Sequence, residues 1–105
     1  MTAFIDRTLT AIDPDGSRFE LTLRIDAPRA VDVDWACPVS LTPLFPKLGD
    51  IQGVDSWQAL QLAQRLLFTL LEGFIERGGR LLHLDVPITP TELFVTAAPR
   101  PHTKV

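Results

Sequence analysis

The sequence predicts an α+β domain, with an antiparallel sheet of three to five strands and one long helix packed on one face. Three observations carry that reading. Residues 4–12 and 18–26 flank Asp13-Pro14-Asp15-Gly16, where proline presets one dihedral, aspartate bonds nearby amides and glycine tolerates positive φ. The second of these segments sets Phe19, Leu21, Leu23 and Ile25 against Arg18, Glu20, Thr22, Arg24 and Asp26, the period-two pattern of a half-buried strand. Gly53-Val54-Asp55-Ser56-Trp57-Gln58 then opens a long amphipathic helix.

After the hairpin, Val31, Val33, Trp35, Cys37, Val39 and Leu41 keep one parity and predict a third strand. Pro38 has no amide proton for a ladder, so this strand is expected at an edge, bulged or shortened there. Residues 42–54 hold Pro43, Pro46, Gly49 and Gly53 and read as loop, with a short strand around 48–52. The helix is expected from about Asp55 to Arg77. Asp55 or Ser56 can accept from the free amides of its first turn, and Gln58 has the capping-box spacing from Asp55. Gly78 and Gly79 end it. Arg80 to Val86 alternates as a last strand that Pro87 breaks, and Thr89-Pro90-Thr91-Glu92 can start a short helical turn through Leu93 and Phe94. Residues 1–96 read as one domain and residues 97–105 as a flexible tail.

At 105 residues, 46% of them hydrophobic and 22% charged, the chain can bury one core and no separate catalytic lobe. A net charge of -3 without a basic cluster argues against nucleic-acid binding. The first residues lack a basic, then apolar, leader pattern, and no apolar run is long enough to span a membrane. Cys37 is the single cysteine, which rules out an internal disulfide, and cytoplasmic residence is the expectation.

On a helical projection Gln58, Gln61, Arg65, Thr69, Glu72 and Glu76 form one polar sector. Ala59, Leu62, Ala63, Leu66, Leu67, Leu70 and Phe74 form the expected core face. Beside it Trp57, Phe68, Leu71 and Ile75 make a second apolar edge, interrupted by Gln64, that one sheet does not comfortably reach. Either the segment with Leu41, Leu44, Phe45 and Leu48, or that with Leu93 and Phe94, folds over this edge, or it meets a partner or a second copy. Trp57 and Phe68 are then its anchors.

Catalytic chemistry has little support. Cys37 shares parity with Trp35 and Val39 and reads as a small buried hydrophobe, with no cation beside it to stabilise a thiolate. Ser56, His83 and Asp85 are the residue types of a hydrolase triad, but no glycine-flanked elbow surrounds the serine, which reads as a cap. His83 and Asp85 with Asp32 and Asp34 lack a metal-ligand spacing. Asp13-Pro14-Asp15-Gly16 lacks the glutamate of a calcium loop, and Gly78-Gly79 follows a helix where a phosphate loop would precede one. Arg7, Arg18 and Arg24 are placed with Glu20, Asp26, Asp32 and Asp34 on a mixed, solvated sheet face. No catalytic, cofactor-binding or metal-ligating residue is assigned.

At Trp35-Ala36-Cys37-Pro38 and at residues 50–63, Asp-Ile-Gln-Gly-Val-Asp-Ser-Trp-Gln-Ala-Leu-Gln-Leu-Ala, the chain resembles a family of small bacterial proteins known only as a domain of unknown function. The resemblance runs from the first hairpin to Phe94 and implies a bacterial, cytoplasmic α+β protein. It transfers no activity to any residue. The leading functional expectation is a non-enzymatic protein-binding domain, of immunity or accessory type, without cofactor. The alternatives are a small-molecule-binding module or small enzyme, with a helix–sheet pocket lined by Trp35 and Trp57 and polarised by His83, and a structural homodimer.

Overall fold

The first hairpin forms as its residue pattern requires. Strands β1 (Phe4–Ile12) and β2 (Arg18–Asp26) pair antiparallel, with Leu9 opposite Leu21 and Ala11 opposite Phe19. In the connecting turn Asp15 accepts the Ser17 amide at 2.8 Å, and Gly16 takes φ 94°. The structure, a computed structural model, describes residues 3–94. The expected tail over residues 97–105 lies outside them.

The segment read as one third strand is a hairpin of its own: β3 (Arg29–Val31), a turn with Asp32 at φ 55°, and β4 (Asp34–Thr42). Aspartate tolerates this left-handed conformation better than most residues, so a turn fits there. β2 sets Ile25 opposite Val39, whereas β3 sets Arg29 opposite Ala36, so one extra residue enters at Ala27–Pro28. That is a bulge, and it lies across from Cys37 and Pro38. The register places Asp26 opposite Pro38, whose nitrogen has no proton to give, and the Asp26 carbonyl accepts the Cys37 thiol at 3.2 Å. β4 is not at an edge, because β5 (Asp50–Gly53) pairs with its other side from Trp35 to Pro38.

Helix α1 (Ser56–Glu76) starts at Asp55, whose carboxylate accepts the Gln58 amide at 2.8 Å; Ser56 is the first helical residue and does not cap. Gln58 reaches back to the Val54 amide, also at 2.8 Å. Gly78 at φ 101° supplies the left-handed step after the helix. β6 (Arg80–His83) pairs with β1 over Thr10–Ile12 alone. The expected last strand stops there, since Leu84 and Asp85 turn at φ 51° and 66° into β7 (Val86–Pro87). Leu84 therefore points to solvent. A capping box between Thr89 and Glu92 then starts α2 (Pro90–Leu93).

The sheet has seven strands where three to five were expected, in the order β3-β4-β2-β1-β6-β7 with β5 beside β4. The additions, β3 and β7, are too short to show a periodicity of their own, whereas β5 is the short strand expected around 48–52. Phe19, Leu21, Leu23, Ile25 and Trp35 do face the helix, and Leu21, Leu41, Leu67, Leu71 and Cys37 are fully buried. The core face of the helix is rotated from the expected one. Ala59, Ala63, Leu67, Leu71 and Phe74 are buried, Leu66 and Leu70 are half-buried, and Leu62 is 37% exposed. The cause is at the helix start: a Cβ on Gly53 would stand 2.5 Å from the Ala59 nitrogen, so backbone rests on backbone there. From Ala59 the contact line follows steps of four residues to Ala63, Leu67 and Leu71.

Candidate interaction site

α1 packs chiefly on β4 and β5 and reaches less over the hairpin. The first half of β1 consequently lies beside the helix, not under it. Ile5, whose parity matches Leu9 and Ala11, is 76% exposed. A trough runs between this strand end and the helix. Its first hollow, of about 170 Å³, is lined by Ile5, Arg7, Leu23, Gln64, Leu93 and Phe94 among others. Its second, of about 250 Å³, lies between Phe4, Ile5, Ile25, Pro28 and Leu60. Ile5 and Ile25 border both, so the hollows adjoin.

Arg7, which the sequence pattern assigns to the solvated face of the sheet, faces the helix side. It stands opposite Leu23 and alternates with Ile5 and Leu9. Among the described residues it has no ion-pair or hydrogen-bond partner, whereas Arg18, Arg24 and Arg29 each have a carboxylate within 3.8 Å. The solvated face is organised differently. Arg24 lies 3.9 Å over the Phe4 ring and 2.7 Å from Asp26, and the hydrogen bond to Asp26 raises its pKa. Thr8 and Thr22 join hydroxyls at 3.0 Å.

The four residues of the expected helix edge are not brought together on one open surface. Trp57 is 70% exposed, and Phe68 meets Phe94 edge-on with ring centroids 5.7 Å apart. Leu71 is fully buried, and Ile75 packs against the core. Leu60 and Gln64, which lie between Trp57 and Phe68 on this flank of the helix, line the trough, and Trp57 and Phe68 do not. Sequence reasoning missed Ile5, Arg7 and Leu60. The available signal was Arg7 itself, a charge interrupting the parity of Ile5, Leu9 and Ala11.

The other candidate groups are dispersed. Cys37 is fully buried, and burial, with smaller contributions from Asp26 and Asp50, raises its thiol pKa. His83 and Asp85 lie at the β6–β7 turn, whereas Asp32 and Asp34 lie at the β3–β4 turn across the strand order. Ser56 is at the helix start. Trp35, Trp57 and His83 do not line the trough.

These features define a small α+β domain whose one long helix covers its sheet incompletely. The chain belongs to the family described as Domain of unknown function (DUF6968), whose model matches residues 5–87 and so stops short of α2. No curated protein and no solved structure matches it. Among the described residues no helix is long and apolar enough to cross a membrane.

Proposed function

We propose that this protein is a non-enzymatic protein-binding domain, of accessory or immunity type in a bacterial cytoplasm, and that the trough beside α1 receives the partner. The observation that supports it most is the exposure of Ile5 on the face where Leu9, Leu21 and Leu23 are buried. An apolar side chain left open beside an apolar channel favours contact with another surface. Each of the two hollows is open to solvent and smaller than the cavity of roughly 300–1,000 Å³ in which small-molecule sites enclose most of their ligand. That contrast favours a polypeptide over a small ligand.

The test is co-purification of the tagged full-length chain from its host, for wild type and Ile5→Glu. A protein retained by wild type and lost by a variant with an unchanged melting temperature is the expected result. A partner held equally by both would move the interface elsewhere. A wild-type mass of two chains in solution that Ile5→Glu halves would favour the homodimer.

A further inference from the structure

Among the described residues, the first half of β1 has an unpaired edge. Ala27 donates its amide to the Ala3 carbonyl at 2.9 Å, so Ala3, and with it Ile5, Arg7 and Leu9, turns its backbone groups toward β2. Phe4, Asp6 and Thr8 turn theirs the other way. β6 pairs with β1 only from Thr10 onward, and among the described residues no strand lies beside Phe4–Leu9. This is the longest strand edge left without a partner among them, and it forms one wall of the trough.

We infer that this edge accepts an extended segment of a partner protein as an additional strand, with apolar side chains entering the trough and an acidic side chain meeting Arg7. The inference rests on the protein-binding reading above and specifies its partner. Strand addition divides the work: main-chain hydrogen bonds hold the segment, and side chains at alternate positions select it. Here the edge supplies the amides and carbonyls of Phe4, Asp6 and Thr8. Residues of the incoming strand on the helix side would point toward Ile5, Leu93 and Phe94. Arg7, without a carboxylate among the described residues, supplies the charge for one of them.

A second copy of this chain fits the edge poorly. A two-fold axis pairs the edge with itself antiparallel, and the registers that use the open stretch fully place Asp6 opposite Asp6 or Arg7 opposite Arg7. Like charges directly opposite one another disfavour pairing. A different chain, with an acidic residue at that position, meets no such penalty.

The test uses the full-length protein and two acetylated, amidated peptides of alternating valine and threonine, one with a central glutamate and one with a central lysine. Binding is followed by amide shifts and hydrogen exchange. The glutamate peptide is expected to bind about tenfold or more tightly than the lysine peptide, to slow exchange at Asp6 and Thr8, and to lose its advantage in Arg7→Glu. Asp6→Pro, which removes an outward amide, should abolish binding of both peptides. Slow exchange of the Asp6 and Thr8 amides in the free protein would overturn the inference, because the edge would already be paired. So would binding of neither peptide, binding indifferent to Arg7→Glu, or shifts confined to another surface. If Asp6→Pro fails to fold, Arg7→Glu and the exchange data decide. In each failing case a host partner lost in Ile5→Glu would still stand, so the two readings fail separately.

Discussion

Helix α1 treats the two ends of the sheet differently. Over β4 and β5 it lies close enough that Gly53 meets Ala59 backbone to backbone, and Cys37 and Leu41 of β4 are fully buried. Over the start of β1 it leaves Ile5 exposed, and Arg7 has no ion-pair partner among the described residues, although the strand continues the same alternation. An apolar period shows which face of a strand could be buried. Coverage depends on where the helix is anchored, and the anchor is a glycine on another strand.

The largest expected effect lies under the helix. Leu71→Ala empties a fully buried site and should cost about 2–5 kcal/mol, lowering the melting temperature by about 10 °C or more. A loss below about 1 kcal/mol in chemical denaturation would show that Leu71 belongs to the open flank after all. Gly53→Ala tests the anchor. The added Cβ meets backbone, which cannot rotate aside, so a cost of about 1–3 kcal/mol is expected, together with chemical-shift changes along β5 and the first helical turns.

Phe68→Glu probes the border between the two regions. It breaks the contact with the Phe94 ring and should lower stability by about 1–2 kcal/mol. A variant that melts like wild type but loses a partner or a dimer would instead place Phe68 at an interface. The thiol of Cys37 gives a smaller, pH-dependent effect. Its pKa is raised in the folded state, so the fold holds this proton more tightly than the unfolded chain does. The contribution is complete below the ordinary thiol range and declines as pH rises through that range toward the folded value. Urea midpoints of wild type and Cys37→Ala should therefore converge between about pH 7 and about pH 10. A polar alkylating reagent should label the native thiol only as fast as the fold opens. The smallest effect belongs to the open end: Ile5→Ala should change stability by less than about 0.5 kcal/mol, and a larger loss would mean that the trough is closed in solution.

Local chemistry alone specified a great deal here. The parity of Phe19 to Ile25 determined which face of the hairpin is buried, Asp55 with Gln58 determined where the helix begins, and Thr89 with Glu92 determined the last helical turn. Each depends on residues within a few positions of one another, so the sequence displays it directly. Splitting Val31 to Leu41 into two strands, turning the chain at Leu84 and rotating the helix toward Leu71 required partners distant in sequence. The open edge of β1 is of that kind too. A strand that lacks a neighbour over half its length among the described residues looks in sequence like one that has it, because pairing depends on where β6 stops and on where Gly53 seats the helix.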